Sequence, residues 1–190
     1  MRHQLSAKDR LFVALDVPSV DRARVLVTEL GDAVSCYKVG LELLFGGGLE
    51  FAQGLKAAGK TVFLDMKLLD IGNTVEKAAA NIAGLGLDFL TIHGIDSKTV
   101  DAAVRGRGSS RLKLLAVTVL TSLEKSDIEQ QGIKDMSPAD LVAHRAGLSA
   151  AGGIDGIVAS AQEAALIRAK VGPDVLIVTP GIRLAGGVAG

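Results

Sequence analysis

The sequence predicts an α/β fold, either an open doubly wound sheet or a (β/α)8 barrel, and three observations carry that expectation. Short apolar runs alternate with longer amphipathic ones along the chain. The apolar runs begin about 27 residues apart, the size of one βα unit. Several of them are almost continuously hydrophobic, as parallel strands buried on both faces must be.

Seven runs qualify as strands: residues 11–16, 34–40, 61–67, 87–93, 112–121, 154–160 and 174–181. Helical periodicity falls between them at residues 20–30, 49–58, 74–84, 98–105, 138–151 and 162–170. Punctuation supports several of these. Ser19 and Asp21 open the first helix and Gly31 closes it; Gly59 closes the second; Ser137-Pro138 reads as an N-cap with proline at the first helical position. The triplet Gly46-Gly47-Gly48 matches neither a Walker motif nor a dinucleotide fingerprint and reads as a loop break.

Composition narrows the function classes. The 190 residues carry 21 basic and 21 acidic side chains, so net charge offers no reason to expect a nucleic-acid or anionic-membrane partner. Hydrophobic residues make up 48%, which excludes intrinsic disorder. With five Phe, one Tyr and no Trp, the core must be filled by Leu, Val, Ile and Ala. No stretch approaches the 18 uncharged apolar residues of a membrane helix, and the apolar run at 11–15 is too short for a signal-peptide core. A single cysteine, Cys36, cannot form an internal disulfide. The expected setting is cytoplasmic. Three histidines, at 3, 93 and 144, without paired spacing predict no metal site.

In both candidate architectures the chemistry sits at the carboxyl ends of the strands. The runs end in Asp16; Lys38; Asp65 and Lys67; His93; Thr118 and Thr121; Ser160; and Thr179-Pro180-Gly181 followed by Arg183. Seven successive strands thus bring a polar group to one rim. Only a barrel makes all of them converge, which favours the barrel. The sharpest segment is Asp65-Met66-Lys67-Leu68-Leu69-Asp70. Residues i and i+2 of a strand face the same way, so Asp65 and Lys67 point together, with Asp70 in the following turn. Neighbouring carboxylates favour the charged form of a lysine, and such an ammonium can protonate a carbanion developing beside it. Each residue also has a purely structural reading. The Asp65/Lys67/Asp70 group can be a solvated ion-pair cluster, Asp16 a helix cap, Lys38 a snorkelling side chain, His93 a hydrogen-bonded rim histidine, and Thr118 and Thr121 turn residues.

Taken together, LFVALDV (11–17), YKVGLEL (37–43), VFLDMKLLDIGNTV (62–75), LTIHG (90–94), LLAVTVLTS (114–122), GIDGIVAS (153–160) and VTPGIR (178–183) resemble the bacterial type of orotidine 5′-phosphate decarboxylase, in family order and over nearly the whole chain. The resemblance implies a (β/α)8 barrel, a homodimer with sites at the subunit interface, and cofactor-free decarboxylation of orotidine 5′-phosphate to UMP. It makes Lys67 the proton donor to C6 and sets Asp65 beside the departing carboxylate. Asp70 reaches into the partner's site, as does Thr74 for the ribose; Asp16 and Lys38 hold ribose hydroxyls, with Lys38 also bonded into the charged catalytic array of Asp65, Lys67 and Asp70; Thr121 meets the pyrimidine edge, and Arg183 lies with the phosphate loop.

Leu68-Leu69, Gly72 and Leu184 depart from the commoner family residues. A related magnesium-dependent sugar-phosphate decarboxylase shares D-x-K-x-x-D but needs an acidic residue before the first aspartate, where this chain has Phe63 and Leu64. A (β/α)8 barrel takes about 250 residues. The expectation is therefore one barrel domain over residues 1–190 with seven of its eight strands, a mobile glycine-rich phosphate-loop segment at 184–190, and an incomplete phosphate half. An inactive fragment that keeps dimerisation and nucleotide binding is the alternative this raises.

Overall fold

Seven strands are hydrogen-bonded in chain order into one sheet, every neighbouring pair parallel. They are β1 (Phe12–Ala14), β2 (Cys36–Gly40), β3 (Thr61–Leu68), β4 (Phe89–His93), β5 (Lys113–Val117), β6 (Gly156–Val158) and β7 (Leu176–Val178). The structure is a computed structural model that describes residues 6–182, so Arg183 and the segment 184–190 lie outside the described residues. All seven predicted strands are present, each within or close to its apolar run. The widest difference is in the fifth, where the ladder stops at Val117 although the run continues to 121.

The sheet is curled, in the manner of a TIM barrel. Strands β1 and β4 stand three positions apart, about 14 Å in a flat sheet. Yet the rings of Phe12 and Phe89 meet with centroids 5.4 Å apart at 86°. Phe63 on β3 completes an edge-to-face trio, 5.6 Å from Phe12 and 6.3 Å from Phe89. With Leu115, Val117, Val158 and Val178 these rings fill the inside of the curl. The alternate residues Val62, Leu64, Leu90, Ile92, Leu114, Ala116 and Ile157 face outward beneath the helices. Among the described residues β1 and β7 are the two edges of the sheet.

The helices are α1 (Val20–Leu30), α2 (Leu49–Ala57), α3 (Gly72–Gly84), α4 (Ser97–Arg107), α5 (Lys125–Gln130), α6 (Pro138–Ala151) and α7 (Ala164–Val171). The predicted caps form. Ser19 Oγ accepts from the Arg22 amide at 3.3 Å, and Ser137 Oγ from the Asp140 amide at 3.1 Å. Periodicity missed α5, since its six residues bury only Ile128. It is held at its start, where the Asp127 carboxylate accepts the Glu124 amide at 2.8 Å. The Gly46–Gly48 break is a kinked turn between two helical segments, with Gly47 at φ +89°.

Helix α3, whose first turn carries Thr74, packs closely on α4 because Gly106 has no side chain. A Cβ there would overlap the Glu76 carbonyl oxygen and come within 2.9 Å of Ala79 Cβ. Gly106→Ala sets two effects against each other. Alanine gains about 1 kcal/mol of helix propensity, while forcing two helix backbones apart costs about 1–3 kcal/mol. The expected result is net destabilisation, read as a lower urea midpoint; a raised midpoint would show that the helices separate freely.

Candidate functional site

Because every strand runs the same way, their carboxyl ends share one rim, and the curl turns the inward-facing residues there toward each other. Asp16 follows β1, Lys38 lies on β2, Asp65 and Lys67 on β3, and His93 ends β4. The first four form one chain of alternating charge. Lys38 Nζ is 2.8 Å from Asp16 Oδ1 and 3.5 Å from Asp65 Oδ2, and Lys67 Nζ is 2.9 Å from Asp65 Oδ1. Asp65 is the most enclosed member, its side chain 13% exposed against 57% for Asp16 and 33% for Lys67.

Burial alone would raise the pKa of Asp65. The Lys67 ammonium, the Thr91 hydroxyl and the more distant charge of Lys38 outweigh it, and the carboxyl is held below its usual range. His93 is half-buried on the same face, and burial followed by the positive charges of Lys67 and Arg145 lowers its pKa. Arg145, on α6, donates to the Thr118 carbonyl oxygen at 2.8 Å.

Several structural readings are now decided. Ser19, not Asp16, caps α1, and Asp16 is committed to Lys38. Lys38 is bound between two carboxylates, not extended to solvent. Thr118 is buried and donates weakly to the Val158 carbonyl at 3.4 Å, a structural role. Ser160 is occupied in a reciprocal cap, its amide on Glu163 Oε2 at 2.9 Å and its hydroxyl accepting from Gln162. Asp70, Thr74 and Thr121 are exposed and stand outside the Asp16–Lys38–Asp65–Lys67 chain. Asp70 accepts from the Ile71 amide, and the Thr74 amide bonds the Ile71 carbonyl as α3 begins.

Two contributors escaped sequence reasoning. Gly40 lies two residues past Lys38 on the same face, and a Cβ there would sit 3.0 Å from Asp16 Oδ1 and 3.1 Å from Lys38 Nζ. The ion pair occupies the space of the missing side chain. Thr91 is fully buried; its hydroxyl donates to Asp65 Oδ1 at 2.8 Å and accepts the Lys67 amide at 2.9 Å. The signal for it was period-two alternation, since Phe89, Thr91 and His93 share the inner face of one strand.

An array of two ammonium groups and two carboxylates, mostly withdrawn from water, is suited to a substrate whose charge changes during reaction. Asp65 already has Lys38 on one oxygen and Lys67 and Thr91 on the other, so a divalent cation arriving there would meet two ammonium groups.

Comparison with known proteins agrees with the fold. The family model of "Orotidine 5′-phosphate decarboxylase / HUMPS family" matches residues 9–190. The chain is 52% identical over 190 residues to the orotidine 5′-phosphate decarboxylase of Methylorubrum populi, covering 100% of this chain and 81% of that protein. It is 50% identical over 186 residues to the enzyme of the same name from Rhodopseudomonas palustris strain BisA53, covering 98% and 78%. The crystal structure of orotidine 5′-phosphate decarboxylase from Lactobacillus acidophilus superposes with a TM-score of 0.84 at 35% identity, covering 91% of this chain and 81% of that one. On a parallel curled sheet whose rim carries the Asp16–Lys38–Asp65–Lys67 array, and on a match that runs from residue 9 to residue 190, the chain belongs to the orotidine 5′-phosphate decarboxylase / HUMPS family.

Proposed function

We propose that this chain decarboxylates orotidine 5′-phosphate to UMP, a step of pyrimidine biosynthesis, and that Lys67 protonates C6. The observation that carries the reading is the Asp16–Lys38–Asp65–Lys67 array at the strand ends. A carboxylate attached at C6 and brought against Asp65 meets like charge, which weakens as the C6–carboxylate bond breaks and CO2 leaves neutral. Such an interaction favours the transition state over the bound substrate, the requirement for raising turnover. The electron pair left at C6 takes a proton from the Lys67 ammonium, 2.9 Å from Asp65 in the free site. Lys67 then recovers a proton from solvent. The pair stays on carbon until it is protonated, so the step is drawn without a cofactor.

Asp16, the most exposed member of the array, and Lys38 beside it are assigned to ribose hydroxyls. Thr121 is assigned to the pyrimidine edge and Arg183 to the phosphate. Asp70 and Thr74 are exposed on the rim and stand apart from their own chain's array, as expected of side chains that complete the site of a second copy in a homodimer. The setting proposed is the cytoplasm; no helix among the described residues is long and apolar enough to cross a membrane.

Lys67→Ala is expected to lower turnover by roughly 10²–10⁴-fold or more, followed as loss of orotate absorbance with the fold checked by circular dichroism. Wild-type turnover in that variant would remove Lys67 as the donor. A mixture of Lys67→Ala and Asp70→Ala chains, each inactive alone, should recover about a quarter of wild-type activity, because half the dimers are mixed and one of their two sites is intact. No recovery after confirmed subunit exchange would show that Asp70 does not act across the interface. The pH dependence has a definite sign. Asp65 titrates below its unfolded value, so its ionised contacts contribute stability above about pH 4, and that contribution is lost as pH falls through the depressed pKa. Asp65→Asn should therefore flatten the acid side of the stability profile; an unchanged acid limb would locate the titration elsewhere.

A further inference from the structure

Three features converge at one point of the rim. Lys67 has φ +49°, the left-handed region, and is the one non-glycine residue with positive φ among the described residues. Around it the β3–β4 ladder slips. Leu64 pairs with Leu90 and Leu68 with Ile92, so four residue steps on β3 oppose two on β4. This is a bulge, the device that re-aims a side chain and leaves backbone groups without a ladder partner. Facing it from β4 is Thr91, fully buried within an otherwise apolar strand centre of Leu90 and Ile92.

The Thr91 hydroxyl meets both demands of the bulge. Its oxygen accepts the Lys67 backbone amide at 2.9 Å, replacing the ladder bond lost by the slip. Its proton goes to Asp65 Oδ1 at 2.8 Å, the same oxygen that holds Lys67 Nζ at 2.9 Å. The backbone of Lys67, the carboxylate that receives its ammonium, and the neighbouring strand are thereby closed into one hydrogen-bonded ring. A left-handed, β-bulged backbone is costly for a lysine and persists only where the surroundings over-determine it. We propose that Thr91 is a positioning residue: by holding the Lys67 amide and Asp65 at once, it aims the Lys67 ammonium at the reacting carbon. This rests on the decarboxylase reading for what the ammonium does, though not for how it is held.

Valine has the shape of threonine without the hydroxyl, and serine keeps the hydroxyl without the methyl. Thr91→Val is expected to lower kcat roughly 10- to 100-fold, the scale of a displaced catalytic group, with KM within about twofold, since Thr91 lies beneath the charged array rather than in it. Thr91→Ser should keep kcat within about threefold of wild type. A second readout is the Asp65 carboxyl titration, followed by carboxyl-carbon NMR. The groups facing Asp65 are Lys38 from β2, Lys67 from β3 and Thr91 from β4, with Asp16 beyond Lys38. Of these only the hydroxyl is lost in Thr91→Val, so the Asp65 pKa should rise there and stay at its wild-type value in Thr91→Ser.

Wild-type kcat in Thr91→Val, a Thr91→Ser variant with kcat reduced as far as in Thr91→Val, or an unmoved Asp65 titration in Thr91→Val would each overturn the proposal. If Thr91→Val does not fold, Thr91→Ser still decides it: wild-type kcat and titration support the role, and loss of either refutes it. If wild-type protein fails to turn over orotidine 5′-phosphate, the function is wrong, and the Asp65 titration alone still tests how Lys67 is held.

Discussion

Asp65 holds a carboxylate at a depth where water reaches little of it, and much of the surrounding structure answers that charge. An ion withdrawn from water is tolerated only when paired and hydrogen-bonded on its remaining lone pairs. Lys38, Lys67 and Thr91 meet that demand from three adjacent strands. Each partner imposes its own condition. Lys38 needs the space that Gly40 leaves, Lys67 needs a bulged backbone, and Thr91 needs a place in an apolar strand where its hydroxyl is fully used. The same partners keep the group ionised, the state in which it can oppose a substrate carboxylate and hold an ammonium beside it.

The sheet makes such an arrangement possible. Parallel strands hydrogen-bonded in chain order send every carboxyl end to one rim, and curling brings β1 close enough to β4 for their phenylalanine rings to touch. Those rings pack the interior below the array, so the charges rest on an apolar floor instead of an open channel. Outside the sheet, Gly106 lets α4 approach the backbone of α3, and α3 begins at the rim segment that displays Asp70 and Thr74. The helix that Gly106 approaches is thus continuous, through the loop after β3, with the strand that carries Asp65 and Lys67.

The legible and illegible parts divide along clear lines. Strands and long helices were readable because burial on both faces, or on one stripe, leaves its period in the residues; α1 and α6 have the predicted bounds. Helix α5 left no stripe to read, since a six-residue helix with one buried side chain depends on its cap. For Asp16, sequence could not separate an active-site role from a cap, because either use asks for an oxygen at a strand end. Distances separate them: Asp16 reaches across to β2, while Ser160 bonds within its own turn. Thr91 and Gly40 were passed over because their value lies in what faces them from another strand.

By itself the sequence determined the βα alternation, the succession of strands along the chain, the charged groups at their ends and the D-x-K-x-x-D segment shared with the family, because periodicity, capping and local spacing are properties of neighbours along the chain. Only the tertiary structure decided which of those charges touch, that Asp65 and not Asp16 is the enclosed member, and that the Lys67 backbone sits in a left-handed bulge secured from β4. Those facts depend on the curl of the sheet and the register between strands, which bring residues more than twenty positions apart within hydrogen-bonding distance.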